Sequence, residues 1–317
     1  MNYDLKFLVV GNINVDHVIY VDRIPRIDEI VSNGKFEIYL GGKGANQAVA
    51  LSKLGGISFL AGCVGEDDLG AFALKELRSK GVDTKYVCRS NSHTGVAIII
   101  VDLKGNKVIA VAPGANKDVS TEQIVKALDS ERSFKAVLTQ LELDLDSIKR
   151  ILSICKDRNI ITVLTASPPK KLDEDILKLI DILVANVNEA IEISGYSIAG
   201  KLDSIQDVKE IIEILRSKGS NRIVITMGSK GSVIYDENSG IIKVPALKTD
   251  KVVDTTGAGD VFIAALVYST AIGYGIYESA LIASASAAIK IGHKGAQKGI
   301  PTIHEAIRFL ELKGYKI

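Results

Sequence analysis

Short apolar runs alternate along the chain with longer segments in which apolar residues recur at helical spacing. The first apolar run, 7–11, ends in glycine, and the segment 41–56 opens on two glycines and continues as an amphipathic helix with a glycine stop. Further strands are predicted at 58–64, 136–141, 160–164, 182–185 and 222–226, a hairpin at 232–245, and helices at 69–80, 147–158, 205–218, 261–270, 277–291 and 303–312. This alternation predicts a mostly parallel sheet that is covered by helices on both faces.

Four strand-like stretches, 17–23, 30–40, 94–101 and 107–111, have no helical pattern that would join them to this sheet. In the second stretch Phe36 and Ile38 alternate with charged residues, and a Lys-Gly-Asn turn between the last two stretches indicates a hairpin. We therefore expect a single domain, 1–317, with a small β-sheet lid inserted roughly at 17–40 and 94–111. The alternative is that these strands form an edge of the main sheet.

The composition of the chain limits the classes of molecule that it is expected to bind. The chain has 317 residues, of which 47% are hydrophobic and 24% charged, as in a globular protein with a full core. Its formal net charge of +1 leaves no polybasic surface for nucleic acid or membrane, so a small-molecule partner is expected. Scattered Cys63, Cys88 and Cys155 favour free thiols in a reducing compartment over a disulfide framework. The start has too short an apolar run for a signal peptide, which predicts a cytoplasmic protein.

The stretch 252–266, VVDTTGAGDVFIAAL, places small residues and one carboxylate where a long apolar helix is predicted to begin. Gly257, Ala258 and Gly259 allow a tight turn with outward N–H groups, and the helix adds the positive end of its dipole, so an anion hole is expected. Asp260, at the predicted first helical position, is either a helix cap or a general base beside a bound phosphate. The role of general base is favoured for Asp260, because an ordinary helix cap does not need a preceding Gly-Ala-Gly sequence. The stretch is not a Walker A loop, because it lacks the Lys-Ser or Lys-Thr pair that ends that motif.

Several residues of ligand-binding type stand where strands give way to loops or helices, and this convergence outweighs any single motif. Asn14 and Asp16 are two positions apart, so on an extended chain they face one side and could hold adjacent hydroxyls. A local Asx turn is the alternative.

The helix start at 41–56 and the segment TQLEL offer further groups. Gly42 allows a ligand to approach the backbone closely, and Asn46 lies about one helical turn further on. Lys43 either reaches the ligand or remains a solvated charge. Glu142 follows a strand, where an unpaired carboxylate would be costly, so it either recognises a hydroxyl or forms a surface salt bridge.

Two more strand ends suggest a phosphate-binding side. Asn186 and Glu189 share one helical face at a strand-to-helix junction, which suits phosphate positioning through Mg²⁺-bound water, although a capping box gives the same pattern. The segment 226–231, TMGSKG, follows a strand with small residues, as an ATP-binding loop does.

Taken together, GGKGANQAVALSKLGG at 41–56 and DTTGAGD at 254–260 resemble the signatures of the phosphofructokinase-B-type carbohydrate kinase superfamily. Similarity runs nearly end to end, and GGKGANQA together with HKGAQ at 293–297 resembles the ribokinase branch. The resemblance implies a Rossmann-like three-layer α/β/α fold with a β-sheet lid that also clasps a second subunit as a homodimer. It further implies ATP, Mg²⁺ and activation by the monovalent cation K⁺.

The same resemblance assigns roles position by position. Asp260 matches the catalytic base, and the matched sugar contacts are Asn14, Asp16, Gly42, Lys43, Asn46 and Glu142. The matched nucleotide and phosphate contacts are Asn186, Glu189, Thr226, Gly228, Ser229, Gly231, Gly257, Ala258, Gly259 and Ser284. The matched K⁺ loop comprises Asp254, Thr256, Lys290, His293 and Gly295. The chain departs from the family at Ser284, where a larger polar residue often contacts adenine, and at Gly299, where a serine often helps hold K⁺.

The first functional hypothesis is transfer of the ATP γ-phosphate to the 5-hydroxyl of D-ribose, with Asp260 accepting the proton. A nucleoside kinase of the adenosine type is the main alternative, because a nucleoside presents many of the same hydroxyls. Another sugar kinase, acting on fructose or 2-keto-3-deoxygluconate, is the next. A non-catalytic sugar sensor on the same fold is disfavoured by the intact Asp260 and anion hole.

Overall fold

Two β-sheets organise the chain in the computed structural model, which describes residues 4–196, 205–249 and 251–317. Its strands are β1 (Lys6–Val10), β2 (Asn14–Tyr20), β3 (Lys35–Gly41), β4 (Ile57–Gly65), β5 (Val82–Ser90), β6 (Gly95–Val101), β7 (Lys107–Ala112), β8 (Phe134–Gln140), β9 (Ile161–Thr165), β10 (Ile182–Asn186), β11 (Arg222–Thr226), β12 (Ser232–Asp236) and β13 (Gly240–Val244). Its helices are α1 (Lys43–Leu54), α2 (Asp68–Ser79), α3 (Thr121–Ser130), α4 (Leu145–Asp157), α5 (Glu174–Leu177), α6 (Val187–Ser194), α7 (Ile205–Ser217), α8 (Ala258–Ala271), α9 (Ile276–Lys290) and α10 (Ile303–Leu312).

The large sheet has the order β13-β12-β11-β10-β9-β8-β1-β4-β5 and is parallel except for its last hairpin, β12 and β13. Successive residues of its central strand point to opposite faces, so Val9 packs in the core beneath α1, α8 and α9, while Leu8 packs in the core beneath α3 and α4. The predicted three-layer arrangement is confirmed. No helix of the described ranges is both long and apolar enough to cross a bilayer.

A separate four-stranded sheet, called the small sheet below, has the order β3-β2-β6-β7. It contains all four predicted isolated strands, but the first two, predicted at 17–23 and 30–40, lie at Asn14–Tyr20 and Lys35–Gly41. Asn14 and Asp16, which were expected after the carboxyl end of the first strand, lie inside β2. Their side chains still share one face, since they are two residues apart on an extended strand.

Further features differ from the sequence predictions. Strand β5, helix α3 and the one-turn helix α5 were missed, the strand because it is an edge strand whose charged residues interrupt any apolar run. The expectation of three free thiols was wrong for Cys63 and Cys88, which form a disulfide, whereas Cys155 is free and buried. The two bonded cysteines are 25 residues apart and lie opposite each other on β4 and β5. Their proximity depends on strand pairing and is not visible in their spacing.

Candidate active site

Polar residues from neighbouring parallel strands meet at the carboxyl edge of the large sheet. Asn12 follows β1, Glu142 follows β8, and Asn186 ends β10. Asn186 is paired in register with Thr226, the last residue of β11. Ligands of open α/β sheets bind outside the carboxyl ends of the strands, which makes this edge the candidate site.

Asp260 lies in the first turn of α8 with its carboxylate held by two amide side chains of α1. Asn46 Nδ2 donates to Oδ2 over 3.0 Å, and Gln47 Nε2 donates to Oδ1 over 3.2 Å. The helix begins at Ala258, earlier than predicted, and its cap residue is Gly257 in the left-handed conformation, with no side-chain cap bond. Asp260 as a helix cap was therefore the wrong alternative, since its oxygens accept bonds from α1.

Each of these two amides is itself oriented by a glutamine. Gln140 Nε2 donates to Gln47 Oε1 over 2.9 Å, and Gln297 Nε2 donates to Asn46 Oδ1 over 2.9 Å. Sequence reasoning missed all three glutamines. The signal was present, because Gln140 ends an apolar strand and buried polar groups in proteins are nearly always hydrogen-bonded.

Burial sets the protonation of this carboxylate. Burial raises the pKa of Asp260 to about 6, while the hydrogen bonds from Asn46 and Gln47 and the charge of Lys43 work to lower it, and the charge of Glu189 adds to the rise. Asp260 is thus ionised at neutral pH and has a pKa close to the working pH, as an effective general base requires.

Lys43 and Glu142 form an ion pair next to this carboxylate. Lys43 Nζ lies 2.9 Å from Glu142 Oε1, and Asn12 Nδ2 lies 3.5 Å from the same oxygen. Glu142 is therefore paired, as the salt-bridge alternative anticipated. Within the described residues its other oxygen, Oε2, has no hydrogen bond, so the pairing leaves an acceptor for a ligand hydroxyl.

The start of α1 lies against the turn between β1 and β2. Gly42 is the cap residue of α1, with φ +91°, and a Cβ there would come within 2.7 Å of Asn12 O and 2.9 Å of Asn14 N. Only glycine fits this close approach of two backbone segments.

The small sheet supplies the remaining predicted sugar contacts. Asn14 Oδ1 accepts a hydrogen bond from Asn116 Nδ2 over 2.8 Å, and the Asp16 carboxylate covers Gly41, where a Cβ would collide with it. Burial raises the pKa of Asp16 to about 7. Because Gly41 directly precedes Gly42, the small sheet brings Asp16 to the rim of the same site.

The predicted phosphate-side pair, Asn186 and Glu189, forms a reciprocal capping box at the start of α6. Glu189 N donates to Asn186 Oδ1 over 2.9 Å, and Asn186 N donates to Glu189 Oε2 over 2.8 Å. The capping alternative thus describes their bonds to each other, and the charge of Glu189 also contributes to the raised pKa of Asp260.

The segment 226–231 turns tightly after β11. Gly228 and Ser229 are exposed and belong to a single 3-10 turn, Gly228–Lys230. Gly231 has φ +93°, and a Cβ there would collide with the backbone of the loop after β13. Ser284 is buried in α9, and within the described residues no hydrogen bond joins it to another predicted nucleotide contact.

The anion hole predicted at 257–259 lies where α8 begins. Gly257 has φ +78°, and a Cβ there would come within 2.5 Å of Ala296 O, so this turn packs tightly against the segment 293–297. A Cβ at Gly259 would meet only open space. The N-terminus of α8 therefore presents backbone and a positive dipole end next to Asp260.

The predicted K⁺ loop joins the segments before α8 and after α9. The Asp254 carboxylate accepts from Thr256 N over 2.9 Å and from Gly295 N over 2.8 Å, and hydrogen bonding to these groups helps lower its pKa against the effect of burial. Lys290 O accepts from His293 N over 3.0 Å. Backbone N–H groups of the protein thus already bind both the Asp254 carboxylate and the Lys290 carbonyl oxygen.

The α/β fold, the Asp260 carboxylate at a helix N-terminus and the polar cluster at the carboxyl edge of the sheet are what is expected of a small-molecule kinase. The sequence profile of the pfkB family carbohydrate kinases matches residues 4–303, so the chain belongs to this family.

Individual relatives cover almost the whole chain. The ribokinase of Haemophilus influenzae is 33% identical over 306 residues, or 96% of this chain and 97% of that protein. A deoxyribokinase of Salmonella typhi is 30% identical over 313 residues, or 97% and 99%. The structure of Arabidopsis thaliana ribokinase complexed with ribose and ATP matches with a TM-score of 0.85 at 27% identity, covering 98% of this chain and 99% of that one. The predicted family and fold class are confirmed.

Proposed function

We propose that the chain, 1–317, works as one unit that transfers the γ-phosphate of ATP to the 5-hydroxyl of D-ribose. The observation that carries this proposal is the Asp260 carboxylate, held by Asn46 and Gln47 at the N-terminus of α8 beside the turn 257–259. Asp260 accepts the hydroxyl proton as the oxygen attacks phosphorus, and the helix N-terminus stabilises the charge on the transferred group. The ribokinase names of its relatives support the acceptor.

On the acceptor side, each polar group has a role that follows from its surroundings. Glu142 Oε2, left free by the ion pair with Lys43, accepts a sugar hydroxyl. Asp16 and Asn14 share a face of β2 and receive adjacent hydroxyls. Gly42 allows the sugar to approach the backbone at the start of α1.

On the donor side, the segment 226–231, Ser284 and the capped start of α6 receive the nucleotide, and the turn 257–259 receives the γ-phosphate. Mg²⁺ fits this side, because Glu189 Oε1 carries no hydrogen bond within the described residues and the charge of Glu189 contributes to the raised pKa of Asp260. A single carboxylate beside phosphate oxygens and water suits Mg²⁺, whose role when bound is to neutralise phosphate charge.

K⁺ fits the loop of Asp254, Thr256, His293 and Gly295 less well. The ammonium of Lys290 already contacts Asp254 O over 3.0 Å, and Gly299 provides no hydroxyl. No step of the proposed reaction therefore involves bound K⁺.

A nucleoside and 2-deoxyribose are the two acceptors that compete with ribose most directly. On the small-sheet face that carries Asp16, β6 and β7 contribute the aliphatic side chains of Ala97, Ile99 and Val111, which give a nucleoside base no aromatic surface for stacking. Strand β3 places Tyr39 opposite Asp16 on this face, with its hydroxyl bonded to Glu37, so the acceptor panel below decides between ribose and a nucleoside. The deoxyribokinase relative raises 2-deoxyribose as a second candidate, which lacks one of the hydroxyls that Asn14 and Asp16 would bind.

An acceptor panel with ATP and Mg²⁺ tests the proposal. We expect kcat/KM for ribose to exceed that for 2-deoxyribose, adenosine, fructose and 2-keto-3-deoxygluconate, with ³¹P NMR identifying the 5-phosphate. A higher kcat/KM for adenosine would support the nucleoside kinase. Binding of ATP and ribose without turnover would support the sensor.

We further propose that the small sheet pairs with a second copy of the chain in the cytoplasm, where ATP is available. One face of it carries Phe36, Ile38 and Ile98, which are 53%, 44% and 43% exposed. Contiguous exposed apolar side chains favour a protein partner. Sedimentation should give twice the 34.0 kDa chain mass, and Ile98→Lys should give the monomer. A monomeric unmodified chain would contradict the homodimer, and cell fractionation tests the location.

A further inference from the structure

Lys290, the last residue of α9, has a fully buried side chain. Its Nζ donates to the backbone carbonyl of Asp254 over 3.0 Å, and within the described residues no carboxylate forms an ion pair with it. A buried charge is costly unless oxygen atoms replace its water. The ammonium is held by one carbonyl oxygen of a loop, the type of group that also binds free monovalent cations.

The segment that receives this ammonium leads directly into the anion hole. Val253 N and Asp254 N both donate to Ile291 O, over 2.8 and 3.1 Å, and the Asp254 carboxylate binds Gly295 N. Three residues further on, Gly257 packs against Ala296 O. The Lys290 ammonium thus lies at the junction that fixes the backbone of residues 254–257.

The groups around the Lys290 ammonium determine how many cations this junction can hold. Burial has the largest effect and lowers the pKa of Lys290, as does the charge of Lys107, whereas the charge of Asp254 raises it. The carboxyl end of α9 also directs the negative end of its dipole here. Gly299 has φ +73°, and any Cβ at that position would collide with the His293 ring, so a hydroxyl ligand from residue 299 is excluded. A second cation at Asp254 O would be repelled by the ammonium.

We propose that Lys290 is a tethered cation that takes the place of bound K⁺ and shapes the anion hole, so that activity does not depend on monovalent cations. This inference rests on the proposed kinase function for its activity readout. The inference depends on two properties of Lys290, its positive charge and the length of its side chain, and separate substitutions can change each of them.

The test compares the full chain in KCl, NaCl and N-methylglucamine chloride at one ionic strength. We expect kcat of the unmodified protein to differ by less than about twofold between these salts, because its cation is covalently attached. Lys290→Ala should lose about tenfold or more in N-methylglucamine chloride, since a hydrogen bond from a charged group is removed. K⁺, NH₄⁺ or methylammonium should restore much of that loss.

Two variants control for a merely structural effect. Lys290→Met retains the aliphatic chain without the charge and should lose activity without rescue, because its side chain fills the space that a free cation needs. Lys53→Met removes an exposed lysine from the last turn of α1 and should leave the salt profile flat.

Thermal unfolding gives a readout that needs no turnover. K⁺ should raise the Tm of Lys290→Ala by a few degrees relative to N-methylglucamine, and should leave the Tm of the unmodified chain unchanged. Strong K⁺ activation or K⁺ stabilisation of the unmodified chain would overturn the inference, as would a Lys290→Ala protein that no cation rescues. Absence of kinase activity in every salt would instead defeat the proposed function, and the Tm series would still decide the role of Lys290.

Discussion

The acceptor and donor sides of Asp260 are constructed differently. On the acceptor side, side chains bind side chains: Asn46 and Gln47 hold Asp260, and Lys43 holds Glu142. On the donor side, the corresponding groups bind backbone or are glycines, as in the capping box of α6 and the exposed turn Gly228–Lys230. In the proposed assignment, the sugar-binding geometry is thus fixed by side-chain identity, whereas the nucleotide-binding geometry is fixed mainly by helix ends and turns.

Substitutions on the acceptor side should therefore reduce catalysis more than substitutions on the donor side. The largest effect is expected at the residue between them. Asp260→Asn removes the base but retains size and the neighbouring amides, so kcat should fall by about 10²- to 10⁴-fold. Calorimetry should show ATP and ribose binding within a few fold of the unmodified protein.

A matched control exists in Asp67, whose side chain caps α2 by accepting a hydrogen bond from Gly70 N and also accepts from Thr94 N and Oγ1. Asp67→Asn retains an oxygen that can cap the helix and should lower stability through the contact with Thr94, but it should leave kcat nearly unchanged because none of these bonds involves Asp260. A loss of only a few fold in Asp260→Asn would contradict its role as base.

The amino-acid sequence could predict those features of the two sides that leave a pattern among neighbouring residues in the chain. Gly257 and Asp260 stand together in the chain, and the strand-helix alternation that positions them has a regular period. The partners of Asp260 are different, because Asn46 and Gln47 are more than 200 residues away in sequence and meet it only through the packing of α1 against α8.

The same reason explains the other failures. Cys63 and Cys88 are joined by the pairing of β4 with β5, and Gln140 reaches Gln47 only because β8 lies under α1. The spacing of Asn186 and Glu189 fitted both phosphate positioning and a capping box, and only the structure shows their capping hydrogen bonds. Which residues bind substrate remains a prediction from the resemblance and the geometry.

The second-largest effect is expected at the acceptor-side ion pair. Glu142→Gln removes the charge that receives a hydroxyl and leaves Lys43 without its partner, so kcat/KM for ribose should fall by about 10- to 100-fold. The KM for ATP should change little. Glu131→Gln breaks a comparable pair, with Lys6 at 2.6 Å, beside the opposite end of β1 and should leave both constants unchanged. Equal effects of the two variants would contradict a role of Glu142 in the acceptor site.

A smaller effect, with a distinct signature, is expected at Gln47. Its hydrogen bond lowers the pKa of Asp260 against the effect of burial. The unmodified enzyme should lose kcat as pH falls through about 6, the pKa of Asp260, because the protonated carboxyl cannot accept the substrate proton. In Gln47→Met this acid limb should move to higher pH, and kcat at neutral pH should fall by about tenfold.

Gln123 supplies the control for that change. It also donates through Nε2, to Gly62 O and Tyr86 O, away from Asp260. Gln123→Met should lower stability without moving the acid limb. An unchanged limb in Gln47→Met would show that the contact with Asp260 does not tune its pKa.

The smallest effect on turnover is expected on the donor side, where the capping box can be compared with a second one. Asn186→Ala removes the cap of α6 and should lower the free energy of unfolding by about 1 kcal/mol. Thr302→Ala removes the equivalent cap of α10, far from Asp260, and should cost a similar amount. Only Asn186→Ala should also raise the KM for ATP, by a few fold, because we propose that the start of α6 receives the nucleotide. If the two variants changed stability equally and neither changed the KM for ATP, Asn186 would be a cap alone, and the donor side would bind the nucleotide without it.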